Sequence, residues 1–379
     1  AIDTLTSRIS SSKPRPRVLT ENGDYFKQTR AKKLTQYIDG VFYGANTYQE
    51  GSKAFKDGCV FGTGVVKVVP DYGTGAVYTE RVLPTELVID DIEAMHGNPK
   101  TLYQERRYSK QALIELFPKH ADIIEYAAVD NRALPQATDM VVVYEGWHLG
   151  GKGKHVVCIE GHLLVEEEWD YDCFPFAFFR YTDSIASFWG TGIAEEVKGK
   201  QIEINKLLRD IQRAQHLIAR PRVLVPYGSK MISAHMNSEI GGIIKYEGRE
   251  RPTFINPIAM NNEIYSHVKW LISSVFEEVG ISQLSASSLK PAGLDSGRAL
   301  REYQDIESNR FSLTQENYNE FFNQIARLTI KFSRSMFKEL PDLQVKTQTR
   351  AFVETIKWKD VDLDDDKFTT KFYSSAFLG

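Results

Sequence analysis

Asp90, Asp91 and Glu93 place three carboxylates within four residues. Paired carboxylates can move protons or hold a divalent metal. Used that way, they would make the chain a metal-dependent nucleic-acid-processing enzyme such as a nuclease. The trio directly follows a strand-like run, with no histidine pair near it in sequence. It therefore also reads as a loop or helix cap. A second acidic run, Asp360, Asp362, Asp364, Asp365 and Asp366, begins like a calcium loop. The position that needs glycine is Asp365, and the one that needs glutamate is Lys371. A solvated turn before a strand at 368–372 fits better.

The other reactive types carry no catalytic pattern. His96, His120, His148, His155, His162, His216, His235 and His267 show no H-E-x-x-H spacing. His148, His155 and His162 could gather across a hairpin, although packed or exposed strand positions are the default. Cys59, Cys158 and Cys173 are odd in number and contain no C-x-x-C. That fits free thiols in a reducing compartment rather than a disulfide frame or a zinc site. Gly62-Thr63-Gly64 and Gly73-Thr74-Gly75 run into strand-like residues, not into a helix, so they read as turn or strand-edge glycines. There is no Walker A loop and no G-x-S-x-G. No catalytic residue, metal or cofactor is assigned.

Composition sets the frame for these residues. The chain has 379 residues, 42% hydrophobic and 26% charged, with a formal net charge of −3. Length suggests two or three folding units. A general grip on DNA normally brings a basic excess, which the whole chain lacks. No apolar run approaches the ~20 residues of a membrane helix, and residues 1–16 have no apolar signal core. The sequence starts without Met and in mid-pattern, so we expect the ordered middle of a longer protein.

The element pattern is α+β. A helix is expected over 25–57, strands over 65–69 and 82–89, and a turn at 71–75 between strand-like runs. A short helix follows Ser109 as N-cap and stops at Phe117 before Pro118. Strands are expected over 140–149, 154–160 and 163–169, with Gly150–Gly153 joining the first two as a hairpin. An aromatic strand, 174–181, leads into a long helix over 189–219. Its apolar face carries Ile193, Val197, Ile204, Leu208, Ile211 and Ile218, and its other face Lys200, Arg209 and Arg213 beside Glu196, Glu203 and Asp210. A β-like insert begins at 220, a second helix covers 262–279, and the loop 280–297 follows. A third helix over 298–337 has Ser296 as cap, with Tyr303, Ile306, Leu313, Phe321, Phe322, Ile325, Leu328 and Phe332 on one broad face. The two amphipathic helices before that loop have no obvious second partner in their own chain. Residues 345–372 are again strand-like and are expected to return to the αβ body.

Three segments in this order carry a resemblance. One is FPFAFFRYTDSIASFWGTGIAEEVKGKQIEINKLL, with Phe176, Gly190, Gly192, Gln201 and Asn205. The others are GLDSGRALREYQDIESNRF over 293–311, and VFGTGVVKV followed by RVLPTELVIDDIEA. The chain resembles the core of a tailed-bacteriophage portal protein over most of its length. The resemblance implies a mixed αβ wing, long stem and wing helices, and a small α/β clip in a ring-forming subunit. The wing body would be 1–188, the stem helices 189–219 and 262–281, the clip 220–261 and the tunnel loop 282–296. The long wing helix would be 297–340, with C-terminal strands over 341–379 and no crown in this chain.

It further implies a homo-oligomer of about twelve subunits with closed symmetry, at one capsid vertex of a virion assembled in the host cytoplasm. Double-stranded DNA would pass its channel. Terminase large subunit, an adaptor or head-completion protein, and the major capsid or scaffolding protein would be partners, with no membrane. Gln283, Ser285, Ser287, Ser288 and Lys290 would line the tunnel loop. Arg220, Arg222, Lys230, Lys245, Arg249 and Arg251 would serve clip docking and oligomerisation. Ile193, Val197, Ile204, Leu208 and Ile211 would pack the stem. The nuclease reading and a ring unrelated to DNA stay open beside it.

Overall fold

The computed structural model describes residues 2–20, 24–95, 99–130, 139–219, 222–224, 253–255, 261–280, 311–348, 353–361 and 368–372. By internal contacts the chain divides into two units, Ala1–Glu196 with Leu284–Gly379, and Val197–Gln283.

The first unit opens with α1 (Ile2–Ser10), β1 (Pro16–Thr20), α2 (Tyr25–Gly44) and α3 (Thr47–Phe61). The pattern over 25–57 is thus two helices rather than one. Ala45 N closes α2 on Val41 O at 2.8 Å, and Asn46 takes φ 53°, a left-handed conformation that asparagine adopts more readily than most residues. β2 (Thr63–Asp71) and β3 (Ala76–Val82) follow as a hairpin. Asp71 Oδ1 accepts from Gly73 N at 2.8 Å and its Oδ2 from Thr74 Oγ1 at 2.8 Å, which fixes the turn. The run 82–89 is not one strand. A 3-10 turn at Pro84–Glu86 separates β3 from β4 (Leu87–Ile89), and these strands join different sheets. Pro84 has no N–H to give a ladder.

Next come α4 (Asp91–Ala94), β5 (Thr101–Ser109), α5 (Lys110–Leu116), α6 (Ala121–Glu125), β6 (Met140–His148), β7 (Lys154–Ile159), β8 (His162–Glu168) and β9 (Phe176–Arg180). Ser109 Oγ accepts from Ala112 N at 3.3 Å, the expected cap of α5. Among the described residues, one antiparallel sheet has the order β4-β5-β6-β7-β8 and another the order β3-β2-β9. The unit then runs through α7 (Ile193–Glu196). The second unit holds α8 (Lys198–Ala219), β10 (Arg222–Leu224), β11 (Thr253–Ile255) and α9 (Asn262–Val279). The first unit resumes with α10 (Ser312–Glu339), β12 (Gln344–Gln348), β13 (Val353–Lys357) and β14 (Phe368–Phe372).

β2 is buried on both faces, so it reads as an unbroken apolar run rather than an alternating one. Val65 joins Val82, Leu87, Leu102, Trp147 and Phe176 in a cluster between the two sheets. The opposite face is covered by α3 and α10, where Phe55, Phe179, Tyr318 and Phe321 meet edge to face or tilted. α5 and α6 cover the larger sheet through Leu113, Ile124, Val141, Val143 and Ile159. α10 buries Phe321, Phe322, Ile325, Leu328 and Phe332, whereas Leu313 is 67% exposed. Residues 298–310, with Tyr303 and Ile306, and the cap Ser296 lie outside the described residues. The C-terminal strands do return to this unit. β14 pairs with β1, and the β12–β13 hairpin packs on α2, where Trp358 meets Tyr37. Asp360 closes a 3-10 turn, and residues 362–367 lie outside the described residues.

Two Gly-Thr-Gly segments cross at the end of α3. Gly190 N donates to Thr63 Oγ1 at 2.9 Å, and Tyr181 N donates to Gly62 O at 3.0 Å. A Cβ on Gly64 would lie 1.8 Å from Ala54 O, and one on Gly62 1.9 Å from Gly190 O. Backbone cannot retreat as a side-chain tip can. Gly64→Ala should therefore cost about 3 kcal/mol, at the top of the overpacking range, seen as a lowered urea midpoint. The glycines are packing and turn residues, as their strand context suggests.

Candidate functional site

The second unit is built on two antiparallel helices. Lys200, near the start of α8, donates to Ser274 Oγ at 2.7 Å and pairs with Glu278 at 2.9 Å, near the end of α9. Asn261 caps α9 through Glu263 N, and Gly280 ends it with φ 79°. Ile204, Ile211, Val268 and Leu271 are buried along the seam. The spacing of seven between Ile204 and Ile211, and of three between Val268 and Leu271, keeps each pair on one helix face. Each helix thus finds one partner within its own chain, the other helix.

The five expected stem residues separate. Ile204 and Ile211 lie in the seam and Val197 is half-buried. Ile193 belongs to α7, is buried, and packs toward α3 in the first unit. Leu208 stays 48% exposed. The helix expected over 189–219 is also interrupted. Thr191 bridges Thr182 in extended conformation, and Val197 separates α7 from α8. Three further apolar residues stand out from this unit: Ile202 at 47%, Trp270 at 61% and Ile272 at 40% exposure. Ile202 and Trp270 each sit two residues from a seam position, so they point away from the seam. Sequence reading missed them because it searched for one apolar face per helix. The signal was Trp270, a large ring beside Lys269 and three residues from His267.

Arg222 lies in β10, which pairs with β11. Arg220, Lys230, Lys245, Arg249 and Arg251 fall outside the described residues, as do Gln283, Ser285, Ser287, Ser288 and Lys290.

Of the carboxylate trio, Asp90 is the cap. Asp90 Oδ1 accepts from Ile92 N at 2.9 Å and Glu93 N at 3.2 Å at the start of α4. Among the described residues, no group of three or more His, Cys, Asp or Glu could hold a metal ion. The three histidines do not gather. His148 bonds Thr101 on one sheet face, His155 stacks on Trp147 on the other, and His162 begins β8 at the far end of the hairpin.

The strongest charge cluster ties the two sheets of the first unit together. Lys67 Nζ, 7% exposed, lies 2.5 Å from Glu145 Oε2, 3.1 Å from Gln104 Oε1 and 4.7 Å from the Trp147 ring centre. Glu145 Oε1 meets His155 Nε2 at 3.0 Å, and His155 Nδ1 meets Glu167 at 2.6 Å. Only an imidazolium donates at both nitrogens. Burial opposes that charge, but the bonds to Glu145 and Glu167 outweigh it and raise the His155 pKa. Burial likewise opposes the Glu145 charge, but the His155 bond and the Lys67 charge hold its pKa below the usual value.

Stability from a raised histidine is fully present below its unfolded pKa and is lost as pH rises through the folded one. Stability from a depressed carboxylate is present above its unfolded pKa and is lost as pH falls through the folded one. The urea midpoint should therefore fall as pH rises from the ordinary histidine range through the raised His155 pKa, and less so in His155→Gln.

Comparison with known families decides what these units belong to. The model of the phage SU10 portal protein family matches residues 127–339, more than half of the chain. The chain belongs to this portal family. The match runs from β6 through both helices of the second unit to the end of α10. No curated protein matches the chain. Among the described residues of this portal chain, no helix is long and apolar enough to cross a membrane.

Proposed function

We propose that this portal chain is the subunit of a closed ring at one capsid vertex, through which double-stranded DNA is packaged and ejected. The family match over 127–339 carries the reading. The contact boundary at 197–283 supports separating stem and clip from a wing body. In this layout α8 and α9 are the stem, 220–261 the clip and 282–296 the tunnel loop. The exposed Ile202, Leu208, Trp270 and Ile272 suit it, since a ring subunit needs two different surfaces for two neighbours. Terminase large subunit, an adaptor or head-completion protein, and capsid or scaffolding protein are the proposed partners, in a virion assembled in the host cytoplasm. The chain moves DNA with no hydrolysis of its own, because the family is structural and the work falls to a separate ATPase.

A ring repeats each channel residue once per subunit, so a single lysine becomes a belt of charge. Many phosphate contacts would hold DNA rather than let it slide. The segment QLSASSLKPAG brings hydroxyls and one cation, Lys290. Deleting residues 285–288 should leave rings intact but impair packaging or retention of DNA, while Lys290→Ala gives a milder, salt-dependent defect. Normal packaging by the deletion overturns the loop's role. The reading as a whole is tested by native mass measurement and electron microscopy. A ring near twelve times 43.2 kDa is expected, about twelve copies being what closed portal symmetry implies. A monomer that cleaves DNA in the presence of a divalent metal would favour the nuclease reading.

A further inference from the structure

A cleft of about 640 Å³ opens in the first unit beside β9, the edge strand of the order β3-β2-β9. Phe176, Phe178 and Arg180 alternate along β9 and all line it, and Phe174 and Phe188 add two more rings. Arg327, Leu328 and Lys331 line it from one face of α10. Lys100, just before β5, contributes a further cation. The edge of β9 is already closed to another strand. Phe178 N donates to Gln324 Oε1 at 3.0 Å, and Asn317 Nδ2 donates to Arg180 O at 3.4 Å. A peptide laid along this edge would find those two backbone groups occupied. Recognition in the cleft therefore falls to side chains.

Arg180 is the group the fold leaves half answered. Its Nε donates to Phe188 O at 2.8 Å, and its guanidinium carbon lies 4.5 Å from the Phe188 ring centre and 5.9 Å from that of Phe178. These contacts fix the group in place. They use one of its five N–H donors, and the terminal nitrogens have no acceptor among the described residues. Burial pushes the Arg180 pKa down, and the exposed Asp183 is the charge that resists. Lys331 pairs with Asp172 at 2.5 Å and Arg327 with Glu320 at 3.5 Å, so both are answered. Lys100, Arg180, Arg327 and Lys331 thus meet Asp172, Asp183 and Glu320, which leaves one positive charge. A monoanion balances that charge, whereas a phosphate near −2 exceeds it. The rings favour an aromatic body, since Phe178 and Phe188 already meet edge to face at 5.1 Å and a further ring can join in the same way. Apolar walls, a few convergent polar groups and a volume of this size are the marks of a small-molecule site. We propose that the cleft binds a small aromatic monocarboxylate, with its ring among the phenylalanines and its carboxylate on the terminal nitrogens of Arg180. The site lies wholly within the first unit and does not depend on ring closure.

The test uses the full chain with 4-phenylbutyrate as probe, read by titration calorimetry and by the rise in melting temperature that a bound ligand gives. The acid should bind at one site per chain. 4-Phenylbutyramide, the same body without the charge, should bind about tenfold more weakly or worse. Arg180→Gln should lose about ten- to a hundredfold in affinity for the acid and little for the amide. If Arg180→Gln fails to fold, Lys100→Glu serves, because it reverses an exposed charge at the same cleft. Affinity for the acid should then fall at least about threefold, with the amide unaffected. Lys119→Glu reverses an exposed charge outside the cleft and should change neither. The proposal is overturned if the acid does not bind, if the amide binds as well as the acid, or if the folded cleft variant keeps the preference for the acid. Tighter binding of 4-phenylbutyl phosphate would make the cleft a phosphate site, and tighter binding of a Glu-Phe-Glu peptide would assign it to a partner protein. Either result also overturns it.

Discussion

Leu208→Asp and Trp270→Asp subunits should remain folded yet fail to assemble, while Ile204→Asp should lose the second unit itself. The three positions look equivalent on an amphipathic helix but differ in what covers them. Ile204 is 6% exposed in the seam between α8 and α9, so a carboxylate there meets apolar side chains within the same chain. Leu208 and Trp270 are 48% and 61% exposed, and an aspartate at either remains in water as long as the chain is alone. The cost arises only when a neighbour covers it. A tryptophan at the centre of an interface can contribute ~2–4 kcal/mol. A ring subunit meets this loss at each of its contacts. The measurements are circular dichroism with thermal melting for the fold, and native mass for assembly. Full rings from both Leu208→Asp and Trp270→Asp would show that these residues lie outside the subunit interface.

Much of this organisation was legible because periodicity and turn chemistry agreed. The hairpin at Asp71–Gly75, the cap at Ser109 and the limits of α9 each combine a pattern with a residue that enforces it. What the pattern hid were breaks within apolar runs. Asn46 divides α2 from α3, and Pro84 divides β3 from β4, yet hydrophobic spacing continues across both. Partnership was hidden too. An amphipathic stripe says that a helix face is covered but not by which element. That is why the α8–α9 seam came only with structure. The carboxylates at 90–93 looked like chemistry for a similar reason, since composition cannot distinguish a cap from a ligand set.

Glu145→Ala should be the most damaging single change in the polar interior, at about 3 kcal/mol or more of lost stability. The carboxylate belongs to β6 and holds Lys67 of β2, so it links the two sheets. Removing it does more than delete an attraction. Lys67, with 9% side-chain exposure, would keep its ammonium among Trp147, Phe176 and Gln104 with only the amide to answer it. Burial already pushes the Lys67 pKa down, and Glu145 is the charge that resists this. His155 would lose one of its two acceptors as well. Glu145 itself keeps 26% exposure, which lets water soften the loss and sets the estimate at the lower end of the ~3–5 kcal/mol found for broken buried pairs. Lys67→Met in the same chain should recover most of the deficit, because the uncompensated cation is then gone. Urea unfolding of both single variants and the double gives the coupling directly. If Glu145→Ala and the double variant unfold at the same midpoint, the stranded lysine is not the source of the loss.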